Sequence, residues 1–272
     1  MSQATEISND KLLIRYWGCA GRGMLMRYMA YDAGLDFIAE VASVNYVFFG
    51  SWATEEKFSR EFAGPFKALP VVQHRGQTIN EIGACAQYVA EVAGYMPSDP
   101  MARAKAVMIC AHIYEDVLIT VSDALWEFKD WDRDVIGGFG GPAAGIMLKI
   151  ANLEDVLQQN DSGFAVGNEI SMADFAIFYI VDILTQRFQS VESGPAAIEL
   201  LFGDKPRIAE HQAMMKARPN IAAYRESEQW ARCGRYMSGK GTIGDKTHEL
   251  DLGPTELEGF EILASKLVTA AA

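Results

Sequence analysis

The feature that most constrains this chain is a change of hydrophobic period near residue 100. Before it, apolar runs of strand length alternate with helical stretches; beyond it, apolar residues recur at helical spacing and strand signals nearly vanish. Leu12 to Trp17 reads as a short strand and Gly18 to Gly23 as a loop. Met24, Leu25, Tyr28, Met29 and Ala33 then recur at helical spacing, and Gly34 follows where a helix C-terminus favours a left-handed residue. Phe37 to Val41 is a second strand. Leu69 to His74 and Gln77 to Ile79 flank Arg75-Gly76, a hairpin signal, and Ala84 to Val92 is helical up to Gly94. The predicted order is β-α-β, then β-β-α.

In the second half the apolar-periodic segments are Met101 to Trp126, Ala143 to Gln159, Ser171 to Phe188, Pro206 to Lys216 and Pro219 to Ala231. Ser171-Met172-Ala173-Asp174 is a capping box, which contributes roughly 1 kcal/mol to a helix start. An α+β unit followed by an all-helical one predicts two domains. Their joint falls at Tyr95 to Pro100, where two prolines and polar residues form a short linker.

Composition narrows the function classes. A chain of 272 residues can bury a full core without disulfides or a structural metal. The 24 Lys+Arg against 36 Asp+Glu give a net charge of −12, which argues against the clustered cations that nucleic-acid or anionic-membrane partners require. No apolar run reaches the ~18 residues of a membrane span. The N-terminus MSQATEISND is polar and acidic where a signal peptide is basic and then apolar, so a cytoplasmic protein is expected. Cys19, Cys85, Cys110 and Cys233 lie far apart, and the four histidines are equally scattered. Free thiols and no metal site are the expectation. The glycine-rich Gly137 to Pro142 lacks a following Gly-Lys-Ser/Thr and reads as a turn before a helix.

Four stretches, in order over roughly residues 11 to 238, carry a resemblance. Tyr16-Trp17-Gly18-Cys19-Ala20-Gly21-Arg22 and on to Arg27 aligns without a gap to a pattern of Tyr-Phe, two variable residues, Arg-Gly-Arg and a later Arg. Pro65 to Val72 looks like a segment leading into a cis proline at Pro70. Ile79 to Ala90 looks like a strand-to-helix stretch that grips a γ-glutamyl group, and Gly167 to Phe175 like the start of a central helix. Together they resemble the cytosolic glutathione S-transferases, of the tyrosine type with a sigma-, pi- or alpha-like N-terminal motif. The resemblance implies an α+β fold: a thioredoxin-like glutathione-binding domain (11–95) after a short tail (1–10), then an all-helical domain (100–238). The extension 239–272 lies outside it. Leu257, Phe260, Leu263 and Leu267 there are spaced to form a helix over the interdomain cleft or a neighbouring subunit.

The implied activity is transfer of glutathione, as co-substrate, to a hydrophobic electrophile, in a detoxifying homodimer. A free thiol of pKa ~8.5 is only a few per cent thiolate at neutral pH. A phenol hydroxyl donating to sulfur stabilises the thiolate, and lowering its pKa by two units needs about 2.7 kcal/mol. By resemblance Tyr16 is that donor. Leu69 and Pro70 present backbone to the cysteinyl part, so that glutathione adds like a short strand. Trp52 and Lys57 resemble the pair that meets the glycyl carboxylate, and Arg22 faces the glutamyl end. Glu81 and Ile82 stand where the family places Gln or Glu and then Ser or Thr at a helix N-terminus. Ile82 lacks the hydroxyl, and losing one hydrogen bond to a charge costs ~1.5–3 kcal/mol. Lys67 and Ala68 also replace the commoner Gly and Gln.

Two alternatives stay open. Cys19, just after the first strand, suits a glutathione-linked thiol transferase or lyase whose thiol is activated by a helix N-terminus. Ile82 suits a non-enzymatic relative of crystallin or ligandin type. Cys85, Cys110 and Cys233 fall in apolar helical patterns and read as core. Trp17, Met108, His112, Trp126 and Tyr236 are near a second-substrate cleft by general position alone, and Asp116 reads as a solvated residue.

Overall fold

In the computed structural model, which describes residues 10–17, 21–41, 55–119, 121, 141–233, 239–243, 246–250 and 254–270, β1 (Leu12–Tyr16) is buried at all five positions. A strand covered on both faces belongs at the centre of a sheet. Accordingly β2 (Phe37–Val41) pairs with it in parallel and β3 (Val71–His74) antiparallel, and β4 (Gln77–Asn80) extends the sheet to the order β2-β1-β3-β4. Arg75 and Gly76 both take positive φ, 50° and 70°, the turn geometry that matches the twist of a hairpin. Helices α1 (Met24–Asp32) and, after a turn Arg60–Ala63 labelled α2, α3 (Ile82–Ala93) complete the predicted order. α1 and α3 pack against each other.

Arg15 shows how the rest of this unit is held. Its guanidinium is buried in the sheet, donates to the Phe62 carbonyl at 2.6 Å and lies 3.5 Å from the Phe62 ring centre. It also pairs with Glu40, its register partner on β2. A charge buried this deeply needs a partner on every side, and these contacts pin α2 to the sheet.

The helical half opens with α4 (Pro100–Ala111), capped by Asp99 on the Ala102 N–H at 2.7 Å, and runs on as a π-helical turn, His112–Val117. α5 (Gly141–Gln158) follows, then α6 (Met172–Phe188), of which 15 of 17 residues are buried. The capping box predicted at Ser171 is formed. Its Asp174 carboxylate also accepts from the Ala165 N–H at 2.7 Å and lies 3.2 Å from His211 Nε2. α7 (Gly194–Phe202) and α8 (Pro206–Lys216) complete this bundle; the Glu154 carboxylate of α5 accepts the Arg207 and Ile208 N–H groups that start α8.

The helix expected over Pro219 to Ala231 is two: α9 (Pro219–Arg225) and α10 (Glu228–Cys233). Ser227 causes the break, because its hydroxyl donates to the Tyr224 carbonyl at 2.6 Å and accepts from the Trp230 N–H at 3.1 Å, ending one helix and starting the next. A hairpin of β5 (Gly239–Ile243) and β6 (Lys246–Leu250) follows, beyond the residues 100–238 expected to be all-helical. α11 (Pro254–Ala270) is the predicted extension helix, and its position corrects the expectation. Phe260, Leu263 and Leu267 are buried against α5, α6 and α7 of the chain's own helical unit, with Phe260 edge-on to Phe188, rather than over the cleft or a neighbour. Glu261 accepts from the Ser193 N–H at 3.0 Å and fastens α11 to the start of α7.

Candidate active site

The strand register gathers the predicted residues. Arg15 pairs with Val71, and Val71 with Asn80. Because β3 runs opposite to β1 and β4, the residue after Arg15, the residue before Val71 and the residue after Asn80 leave the sheet at the same end. These are Tyr16, Pro70 and Glu81. The Leu69-Pro70 peptide bond is cis. Leu69, Trp17 and Phe62 pack on Ala63 in a small apolar cluster apart from the main core.

Tyr16 is nearly buried, and its ring lies against the backbone that enters α1. A Cβ on Gly21 would stand 2.6 Å from the Tyr16 hydroxyl oxygen, and one on Gly23 would stand 2.5 Å from the Tyr16 Cβ. Only glycine fits at either position, so Gly21 and Gly23 are explained by the ring they cradle. Arg22, between them, is exposed. The loop is continuous with the helix: the Met24 N–H donates to the Gly21 carbonyl at 2.9 Å.

Glu81 takes φ 71° and ψ 126°, a conformation rare for a residue with a side chain. It is the N-cap of α3, whose first intrahelical bond joins the Cys85 N–H to the Glu81 carbonyl at 2.9 Å. The N–H groups of Ile82, Gly83 and Ala84 therefore precede any intrahelical pairing and, with the helix dipole, favour an anion there. No acidic side chain lies in the first turn. Ile82 turns its side chain onto the main core. At the neighbouring Asn80, buried, the side-chain amide donates to the Ala63 carbonyl at 3.3 Å.

Lys57 is exposed on a 3-10 turn, Glu56–Phe58. Lys67 takes a positive φ of 54° and places its ammonium 5.2 Å from the Phe58 ring centre, so the two lysine-bearing segments meet at this edge. Trp52 and Cys19 lie outside the described residues, as do Trp126 and Tyr236. Met108 and His112 line the groove between α4 and α5 rather than the end of the sheet. His112 Nδ1 is 2.8 Å from the exposed Asp116 carboxylate. Cys85 and Cys110 are buried free thiols as expected; burial pushes Cys85 up to about 12 and Cys110 higher, so neither is a nucleophile at neutral pH. The Cys233 side chain is outside the described residues. Among the described residues no group of His, Cys, Asp or Glu is placed to hold a metal, and no helix is long and apolar enough to cross a membrane.

Sequence reasoning missed the structural parts of Arg15 and Asp32. The signal for Arg15 was present: a lone cation inside an apolar strand, with Glu40 at the matching place in the next one.

A four-stranded mixed sheet with a cis proline at its end and a following helical bundle defines the class: a thioredoxin-like domain joined to an all-helical one. Residues 147–228 match the family model for the glutathione S-transferase C-terminal domain. Over 164 residues, 57% of this chain and 79% of the relative, the sequence is 29% identical to a probable glutathione S-transferase 6 of Caenorhabditis elegans. The fold superposes on the glutathione S-transferase of Ascaris lumbricoides with a TM-score of 0.59 at 20% identity, covering 79% of this chain and 95% of that one. For a Pi-class enzyme of Onchocerca volvulus the TM-score is 0.62 at 17% identity, covering 82% and 96%. The chain thus shares the fold of the glutathione S-transferases.

Proposed function

We propose that the chain is a glutathione transferase that binds glutathione across the end of its sheet and uses the Tyr16 hydroxyl to hold the sulfur as thiolate. The observation that carries the reading is the convergence of Tyr16, Leu69-Pro70 and Glu81-Ile82 at one end of the sheet. Backbone at Leu69 takes the cysteinyl part as an added strand. The N-terminus of α3 takes the γ-glutamyl carboxylate through backbone N–H groups, with Arg22 and Glu81 beside it. Lys57, with Trp52, meets the glycyl carboxylate, and Lys67 adds positive charge on that side. In a chain of net charge −12, such local cations attract a tripeptide that is itself an anion.

The thiol proton leaves to solvent, and the thiolate attacks an electrophilic carbon of a hydrophobic substrate held between the domains. A carbon–sulfur bond forms. The displaced electron pair departs with a leaving group, opens an epoxide, or takes up a proton in an addition. Tyr16 stays protonated and acts by its hydrogen bond, which strengthens as charge gathers on sulfur.

The division into a glutathione-binding unit (11–95), a helical unit (100–238) and an extension (239–272), a cytoplasmic location and a homodimer belong to the same proposal. Exposed Phe58 and Phe66 near the site and the apolar groove lined by Met108, Ile109, Leu153 and Val156 support the homodimer, since such surface is ordinarily covered.

The test is a glutathione titration followed by an electrophile panel on wild type, Tyr16→Phe and Cys19→Ala. Wild type and Cys19→Ala should conjugate equally and Tyr16→Phe should be crippled. Loss of turnover in Cys19→Ala, with a Cys19–glutathione mixed disulfide by mass spectrometry, would replace this reading with thiol transfer.

A further inference from the structure

The loop that cradles Tyr16 is the first turn of α1, and α1 is clamped at two points by charged groups from the helical unit. At its C-terminal end, the buried Asp32 carboxylate accepts Arg218 Nε at 2.8 Å and Nη2 at 2.5 Å. It also accepts the Tyr95 hydroxyl at 2.5 Å, while the Asp32 carbonyl takes the Asn220 side-chain amide at 2.8 Å. One turn earlier, the Tyr28 hydroxyl donates to Asp182 of α6 at 2.9 Å, and Arg225 donates to the other oxygen of Asp182 at 2.8 Å. Arg218 and Arg225 stand at the two ends of α9, so the short helix forms a splint along α1. Between the clamps Tyr31 stacks on Tyr224 with ring centres 3.8 Å apart, and the Tyr224 hydroxyl lies 3.6 Å from Met24 Sδ. The break at Ser227 folds α10 back so that Trp230 covers the Arg225 guanidinium at 4.6 Å and packs on Tyr28.

Two buried carboxylates, each with an arginine and a tyrosine, are more than packing needs. A hydrophobic replacement of a buried ion pair is often neutral or stabilising, and the better-attested use of such pairs is to fix one geometry. Burial, then Asp182, raise the Tyr28 pKa well above 10, and burial, then the bond to Asp32, do the same for Tyr95, so both remain donors at any working pH.

We propose that Asp32 and Asp182 are positioning residues for the thiolate site: held by α9 and α6, they set where α1 presents the Gly21–Gly23 backbone against the Tyr16 ring. The proposal rests on the role of Tyr16 proposed above. A shift of a few tenths of an ångström in α1 moves the wall that the phenol leans on, because Gly21 and Gly23 leave no slack around the ring.

The experiment follows the pH dependence of kcat/KM for an electrophile at saturating glutathione, whose acidic limb reports ionisation of the bound thiol and not the fraction of folded enzyme. Asp32→Asn and Asp182→Asn are compared with Asp174→Asn, a substitution in the capping box whose carboxylate bonds Ala165, Ser171 and His211 rather than α1, and with Tyr16→Phe. Thermal midpoints are measured for all of them. The positioning variants should move the limb upward by about half a pH unit, roughly a threefold loss of rate on that limb. Arg218→Lys, which keeps the charge and loses the fork, should fall between Asp32→Asn and wild type. Asp174→Asn should lower the midpoint and leave the limb in place. If Tyr16→Phe moves the limb while both positioning variants leave it unmoved, positioning is overturned and the role of Tyr16 stands. An unmoved limb in Tyr16→Phe itself overturns both.

Discussion

The end of the sheet and the helix α6 are built on opposite terms. α6 is buried on almost every side, its start is fixed by a capping box with a further backbone N–H and a histidine on the same carboxylate, and its side chains sit in the main core. The end of the sheet rests on a satellite cluster of Ala63, Trp17, Phe62 and Leu69, and holds Glu81 and Lys67 at positive φ. Packing over-determines the first region. In the second, backbone geometry rare for residues with side chains is kept where glutathione is proposed to bind, as expected where function outweighs local stability. Asp32 and Asp182 link the two: Asp32 ends the helix that carries the loop and takes Arg218 at the start of α9, while Asp182 of α6 takes the Tyr28 hydroxyl of that same helix.

That contrast can be broken by substitutions that move stability and activity apart. The largest effect expected is from Ile180→Ala in the middle of α6, fully buried, which should lower unfolding free energy by about 2–5 kcal/mol in a urea titration while leaving activity per folded molecule unchanged. Tyr16→Phe should do the reverse. Its kcat/KM should fall about 100-fold, the equivalent of about 2.7 kcal/mol of lost thiolate stabilisation, with the urea midpoint within experimental scatter of wild type. Ile82→Thr sharpens the account of the site: the added hydroxyl should tighten glutathione binding up to about tenfold by calorimetry, about 1.4 kcal/mol, if the N-terminus of α3 holds a carboxylate. Ser171→Ala removes one half of the capping box and should cost about 1 kcal/mol of stability with unchanged glutathione affinity.

The smallest effect near neutrality concerns pH. Cys85 ionises near 9 when exposed and is pushed up to about 12 by burial, so above pH 9 the unfolded chain sheds this proton before the folded one does. Tyr28 and Tyr114 shift in the same direction for the same first cause. Stability should be flat with pH up to about 9 and fall as pH rises beyond it, which urea midpoints across that range will show.

Much of this was legible in the residues. The strand at Phe37–Val41, the hairpin at Arg75-Gly76, the start of α1 at Met24 and the capping box at Ser171 all follow from local chemistry: period, turn residues and caps. So does the gathering of Tyr16, Pro70 and Glu81, once the strands are paired. What the sequence concealed depends on contacts between distant segments. Arg15 and Asp32 read as ordinary charges until Phe62, Glu40 and Arg218 are placed beside them. The break between α9 and α10 rests on one serine hydroxyl used twice. The seat of α11 on α5, α6 and α7 was hidden because an apolar stripe states that it will be covered, not by what.

The most direct test of the central claim is the pKa of glutathione's thiol in the binary complex, followed by the ultraviolet absorbance of the thiolate across pH. In wild type the value should lie about two units below the ~8.5 of a free thiol, and it should return toward the free value in Tyr16→Phe. Superimposable titrations of the two proteins would contradict the claim.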